Sequence, residues 1–108
     1  MGKLKLLKFR DYDDMFSYYE DNEEIVHLYT LDKLEKSWKS KQELQTVDIY
    51  RIEITESDDD VEFLSIYEKE WGDAFMEMKN YFVKNQKYEI AARVRNFETL
   101  VFSIKDEE

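Results

Sequence analysis

Residues 47–68 of the chain, VDIYRIEITESDDDVEFLSIYE, decide the fold class because they carry two strand signals on either side of a polar loop. Residues 47–55 and 61–68 are rich in β-branched and aromatic side chains, which favour strands. Residues 56–60 between them are typical of a turn, since aspartate and serine side chains hydrogen-bond to nearby backbone groups. The stretch therefore predicts an antiparallel hairpin with one of the longer loop types.

After this hairpin the spacing of the apolar residues changes to the helical period. A helix over about residues 73–85 is predicted by apolar side chains three and four positions apart, namely Trp71, Ala74, Phe75, Met78 and Phe82. Beyond it, residues 88–95 and 99–105 alternate apolar with polar side chains, and residues 96–98 lie between them. Alternation is the pattern of a half-buried strand, so we expect a second antiparallel hairpin here.

Before the first hairpin, the chain predicts two strands and two helices. Residues 3–9 predict a strand, and Asp11 predicts the N-cap of a helix that ends near residues 21–22. Residues 25–30 are rich in β-branched and aromatic side chains and predict a second strand. The helix that follows extends to about residue 44, and its narrow apolar side predicts a position at the edge of the domain.

The predicted architecture is a single α+β domain spanning residues 1–108, in the order β-α-β-α-β-β-α-β-β. A chain of 108 residues is about one domain long. Its content of 43% hydrophobic and 16% aromatic residues excludes a disordered polymer, although 39% of the residues are charged. Adjacent hairpins favour a mainly antiparallel sheet with helices packed against it. The order of the strands in the sheet is left open.

The composition excludes several functional classes. The chain has no cysteine and a single histidine, His27, which excludes disulfides and leaves too few ligands for a zinc site. Its two glycines, Gly2 and Gly72, cannot form a phosphate-binding loop or a dinucleotide-binding motif. We therefore predict a protein that is not an enzyme, with no catalytic residue, no metal and no cofactor. The lack of cysteine and of any long apolar segment predicts a cytoplasmic location without membrane contact.

The net charge of −10 is the strongest functional signal in the sequence. Such a chain repels bare nucleic acid and attracts basic protein surfaces. Two groups of carboxylates are concentrated enough to be predicted as partner-binding residues. They are Glu56, Asp58, Asp59, Asp60 and Glu62 around the hairpin loop, and Glu20, Asp21, Glu23 and Glu24. The second group is expected at the C-terminal end of a helix, where carboxylates oppose the helix dipole.

The group around the hairpin loop does not have the pattern of a calcium loop, which needs ligands at alternate positions and a glycine at its sharp turn. A loop that is acidic only for solubility is the simpler interpretation of the three consecutive aspartates, and a partner-binding loop is the second.

Four functions are compatible with this acidic character. The leading hypothesis is a non-catalytic inhibitor of a basic nucleic-acid-handling protein, a DNA mimic whose carboxylates imitate phosphates. In size, acidity and scarcity of glycine and proline, the chain is similar to small phage- or plasmid-encoded inhibitors, including anti-restriction and anti-CRISPR proteins. The alternatives are an immunity protein that neutralises a toxin nuclease, and a self-associating module that uses exposed tyrosines and edge strands. A hydrolase with a carboxylate-bound metal is the last alternative.

Overall fold

The computed structural model of the chain describes residues 4–56 and 62–106. Within these residues it contains a three-stranded sheet and four α-helices, so the predicted α+β class is confirmed. The elements in chain order are β1 (Lys5–Phe9), α1 (Tyr12–Asp21), α2 (Glu23–Lys41), β2 (Val47–Ile54), β3 (Glu62–Ile66), a 3-10 turn (Glu68–Glu70), α3 (Trp71–Lys84) and α4 (Tyr88–Asp106).

The sheet has the strand order β1-β2-β3 and is mixed. β2 and β3 pair antiparallel, with Tyr50 opposite Leu64, which confirms the hairpin predicted from residues 47–68. β1 pairs parallel with β2, with Phe9 opposite Ile54. The prediction of a mainly antiparallel sheet is therefore correct for one of the two strand pairs and wrong for the other. The chain leaves β1 and returns to β2 through two helices, and a crossover of this kind is what joins parallel strands.

The start of α1 follows from local chemistry that the sequence displays. The Asp11 carboxylate accepts a hydrogen bond from the backbone N–H of Asp14 at 2.9 Å, which confirms the predicted N-cap. The helix ends at Asp21, and the Asn22 side-chain amide donates to the Tyr18 carbonyl at 2.9 Å. The chain therefore satisfies backbone groups at both ends of α1 with side chains of its own.

The strand predicted for residues 25–30 is wrong, because these residues belong to α2. This helix is apolar on two sides: Val26 and Tyr29 pack towards the sheet, while Leu31 and Leu34 are fully buried against the other helices. A helix that is buried on two sides does not show a single apolar stripe. The same fact corrects its predicted place at the edge of the domain, since α2 lies between the two cores.

The hairpin predicted for residues 88–105 is also wrong, because α4 runs through the whole segment as one helix. Its buried residues include Val94, Phe97 and Val101, spaced three and four apart, as a helix requires. Phe97, which the prediction placed in a turn, packs its ring 5.4 Å from the ring of Phe75. The alternating and the helical pattern coexist in this segment, and contact with α3 selects the helical one.

Two apolar cores share α2 between them. The larger one lies among α2, α3 and α4 and surrounds Trp71, whose indole N–H donates to the Gln45 carbonyl at 2.8 Å. The smaller one lies between the sheet and the inner sides of α1 and α2 and contains Leu7, Phe9, Ile49, Tyr50, Ile52 and Ile54. Two cores side by side make the molecule elongated, at 49 × 31 × 23 Å. Its radius of gyration of 15.1 Å exceeds the value of about 13 Å typical of this chain length.

Candidate functional site

One continuous segment of the chain is acidic without interruption by a cation. Residues 11–32 contain eight aspartates and glutamates and no lysine or arginine. This segment forms α1 and the first half of α2. The negative charge is therefore concentrated on two consecutive helices.

Elsewhere in the described part of the chain, two ion pairs link the helices of the larger core. Lys79 of α3 and Glu98 of α4 are paired at 2.5 Å, and the Arg93 guanidinium of α4 donates twice to the Glu35 carboxylate of α2. These pairs join neighbouring helices across the larger core. Carboxylates of the acidic segment also form ion pairs, with lysine and arginine side chains from outside residues 11–32. The segment is therefore distinguished by containing no lysine or arginine of its own.

The junction between α1 and α2 opens onto a cleft with a volume of about 990 Å³. All four carboxylates of the second predicted group, Glu20, Asp21, Glu23 and Glu24, line this cleft. The structure adds a fifth carboxylate, Glu77, from the facing side of α3. We call these five residues the cleft group. Glu77 is missed by the sequence analysis because only the packing of α3 beside α2 brings it near residues 20–24.

The members of the cleft group differ in their partners. Glu23 lies 3.7 Å from the His27 imidazole, and Glu24 lies 3.7 Å from the Lys87 ammonium. Within the part of the chain that the structure describes, Glu20, Asp21 and Glu77 form no ion pair. These three carboxylates therefore contribute charge to the cleft that no described ion pair offsets.

The four carboxylates of residues 20–24 differ in their positions relative to the helix dipoles. Glu23 and Glu24 lie in the first turn of α2, where carboxylates favour the helix. Only Glu20 and Asp21 lie at the C-terminal end of a helix, in the last turn of α1, where carboxylates oppose the dipole. Such a placement costs about 0.3–1 kcal/mol per charge. The prediction that this group lies at the C-terminal end of a helix is therefore correct for Glu20 and Asp21 and wrong for Glu23 and Glu24.

His27 lies at the inner wall of the cleft, in α2, and not in a strand as the sequence analysis expects. Its side chain is 18% exposed, and its ring is 5.0 Å from the ring of Tyr81 and 6.0 Å from that of Phe82. Burial lowers the pKa of His27, and the nearby carboxylates of Glu23 and Glu77 only partly oppose this effect. His27 is therefore neutral at neutral pH and leaves the charge of the cleft unbalanced.

Partial burial and the carboxylates of Glu24 and Glu23 raise the pKa of the Tyr81 phenol on the opposite wall. Neither of these two rings therefore carries a charge near neutral pH. The potential in the cleft is determined by its carboxylates and by the two lysines near it, Lys84 and Lys87.

We predict that His27 makes the fold less stable as the solution is acidified. The unfolded chain binds a proton near the ordinary histidine pKa of about 6.5, whereas folded His27 resists protonation, so stability falls as the pH drops through that value. In the His27→Gln variant, the free energy of unfolding should no longer show this fall as the pH drops. Urea unfolding of both proteins at about pH 7.5 and about pH 5.5 measures it. A histidine pKa above the ordinary value in an NMR titration would contradict the prediction.

The first predicted group lies at the opposite end of α1, as far as the structure describes it. Asp58, Asp59 and Asp60 lie outside the described residues, whereas Glu56 and Glu62 lie within them. The Glu56 backbone N–H donates to the Arg10 carbonyl at 3.0 Å. The Tyr12 hydroxyl at the start of α1 donates to the Glu62 carboxylate.

These contacts bring Glu56 and Glu62, near the ends of β2 and β3, beside the start of α1, which carries three aspartates. Together they form what we call the hairpin-end group, which consists of Asp11, Asp13, Asp14, Glu56 and Glu62. The Arg10 guanidinium pairs with Asp11 at 3.4 Å within this group. The ten residues of α1 span about 15 Å, so one short helix separates the two acidic groups.

Comparison of the chain with protein-family models, with curated proteins and with solved structures gives no match. Among the described residues, no three His, Asp or Glu side chains are grouped so that they could hold a metal ion. In the same residues, no helix has an apolar stretch long enough to cross a membrane. Any functional statement about this protein therefore depends on its own surface.

Proposed function

We propose that the protein is a non-catalytic inhibitor that binds a basic, nucleic-acid-handling protein through its acidic surface. One observation carries this proposal: residues 11–32 contain no cation, and their fold presents carboxylates at both ends of α1. The proposal includes a cytoplasmic location, because such a partner handles nucleic acid there. It includes no direct contact with nucleic acid or with a membrane, since both carry the same sign of charge.

The electrostatics favour a cationic partner. A surface of one sign accelerates encounters with the opposite sign about 10- to 1000-fold at low ionic strength. Neighbouring positions on a helix face bring carboxylates about 5–6 Å apart, compared with one phosphate per ~3.4 Å on each DNA strand. The acidic surface therefore imitates a nucleic acid at lower charge density, and a protein that binds phosphates is the partner with the matching chemistry.

The position of Glu20 and Asp21 supports a binding role over a role in solubility alone. A carboxylate added only for solubility would be as useful at a helix start, where it also stabilises the helix. These two lie at the end of α1 and destabilise it, while they face the cleft together with Glu77. Placing like charges together at a cost in stability is expected where a basic partner compensates them on binding.

The test compares two triple variants with the same change of net charge. The first, Glu20→Gln, Asp21→Asn and Glu77→Gln, neutralises the carboxylates of the cleft that form no ion pair within the described residues. Its control neutralises three exposed carboxylates outside both acidic groups, Glu43→Gln, Glu68→Gln and Glu89→Gln. We expect the cleft variant to bind the partner about tenfold more weakly and with less dependence on salt, whereas the control stays within about twofold.

The partner is captured from a cell extract on the immobilised wild-type protein at low ionic strength and is then released with salt. Its affinities for the two triple variants are then measured with the purified partner, with and without competing DNA. Equal weakening by both variants would mean that only net charge matters and would overturn the proposal. Recovery of a single toxin nuclease, inhibited without competition from DNA, would support the immunity protein instead.

A further inference from the structure

The outer side of α1 is an exposed helix face with an aromatic residue at its centre. The inner side of the helix packs Met15, Tyr18 and Tyr19 towards the sheet. Phe16 points away from this core, and 55% of its surface is exposed. Asp13 and Glu20, the neighbours of Phe16 on the outer side, are exposed as well. The face is therefore formed by an aromatic ring between two carboxylates.

The spacing of these three residues places them in one row. Asp13 is three positions before Phe16 and Glu20 is four positions after it, so the Cβ atom of Phe16 lies about 5–6 Å from that of each carboxylate residue along the helix face. Within the described residues, neither carboxylate forms an ion pair, and the Phe16 ring contacts no other ring. An exposed phenylalanine is not explained by solubility, which the surrounding carboxylates already provide.

Arginine is the side chain that matches this combination. Its guanidinium group stacks on an aromatic face and also forms paired hydrogen bonds with a carboxylate. Because it is more weakly hydrated than the lysine ammonium group, it loses less on contact with an apolar ring. An exposed aromatic ring with a carboxylate on each side therefore favours arginine over lysine.

We infer that the outer face of α1 binds an arginine-rich segment of the partner, with Phe16 as the stacking platform between Asp13 and Glu20. The inference rests on the proposed function and specifies the chemistry that the partner presents. Charge complementarity supports this occupant, since both ends of α1 carry acidic groups within about 15 Å. An arginine-rich segment can contact the row and both groups at once.

Phe63 provides a matched control because it is equally exposed, at 53%, in a different setting. It lies on β3 opposite Arg51 of β2, on the side of the sheet away from α1 and α2. A second guanidinium there would meet a like charge, which disfavours binding. Both phenylalanines are exposed, so alanine at either position should leave the fold intact.

The experiment measures the binding of octa-arginine and octa-lysine peptides to the wild-type protein, Phe16→Ala and Phe63→Ala by calorimetry at low ionic strength. We expect octa-arginine to bind the wild type more tightly than octa-lysine. Phe16→Ala should weaken octa-arginine about threefold and abolish the difference between the peptides. Phe63→Ala should change neither affinity. Far-UV circular dichroism of each variant verifies the fold.

The outcomes separate this inference from the proposed function. Equal affinities of the two peptides for the wild type, or an unchanged octa-arginine affinity in Phe16→Ala, overturn the arginine-binding face. The proposed function survives that result if Glu20→Gln, Asp21→Asn and Glu77→Gln together still weaken both peptides. Failure of both peptides to bind the wild type overturns the acidic binding surface and, with it, the proposed function.

Discussion

Trp71→Ala is expected to lower the free energy of unfolding by about 3–5 kcal/mol. The indole has no exposed surface and lies at the centre of the larger core. Its ring is 6.4 Å from Trp38, 6.1 Å from Phe75 and 6.3 Å from Phe97, so α2, α3 and α4 all lose contacts with it. The variant also loses the hydrogen bond from the indole N–H to the Gln45 carbonyl.

Urea unfolding followed by far-UV circular dichroism measures this loss, since the substitution also removes a fluorophore. The control is Met76→Ala in the same helix, where 52% of the side chain is exposed. It should change the stability by no more than about 0.5 kcal/mol. A loss below about 1 kcal/mol in Trp71→Ala would show that the core is not organised around the indole. Native proteins typically have a free energy of unfolding of about 5–15 kcal/mol, so either result is measurable.

Asn96→Pro is expected to destabilise the protein by about 3 kcal/mol or more. Asn96 lies in the interior of α4, where proline removes a backbone hydrogen bond and clashes with the carbonyl four residues earlier. The hairpin predicted from the alternating pattern would place the same residue in a turn, where proline is common. The substitution therefore distinguishes a continuous helix from a hairpin.

Asn96→Ala is the matched control, because it alters the same side chain and retains the backbone N–H. Alanine has the higher helix propensity, so this variant should be as stable as the wild type or more stable by a few tenths of a kcal/mol. Both variants are measured by urea unfolding, with the helical signal at low denaturant as a second readout. Equal stability of the proline and alanine variants would contradict the helical course of α4.

Elements that depend on neighbours along the chain were predicted correctly. Asp11 and the backbone N–H that it caps are three residues apart, so the start of α1 is visible in the sequence. The strands of the hairpin in residues 47–68 are joined by one short loop. The apolar stripe of α3 lies on one side of one helix. In each case, all the interacting groups lie within a few turns or one hairpin.

The two segments whose secondary structure was predicted wrongly, residues 25–30 and 88–105, share a physical cause. In α2 the apolar residues serve two cores, so Val26 and Leu31 face different partners and no single stripe appears. In α4 the apolar positions fit a period of two as well as a helical period, and no glycine or proline breaks the segment. Packing against α3 buries Phe97 and thereby selects the helix. Tertiary contacts override local preference in both segments.

The candidate site shows the same division. Glu20, Asp21, Glu23 and Glu24 are consecutive or nearly so, and they are therefore recognisable as a group in the sequence alone. Glu77 joins them only because α3 packs beside α2, with Tyr81 against His27. Glu62 meets the start of α1 only because β1 pairs parallel with β2. Carboxylates that are distant in the chain become neighbours through long-range packing.

The amino-acid sequence alone was enough to establish the α+β class, the hairpin of residues 47–68, the cap of α1 and the surplus of carboxylates, because these features are carried by composition and short-range pattern. The tertiary structure decided the parallel pairing of β1, the helical state of residues 25–30 and 88–106, and the assembly of two acidic groups at the ends of α1. Those features depend on which apolar faces of the helices and strands pack against each other. Local periodicity in the sequence does not specify burial against distant residues.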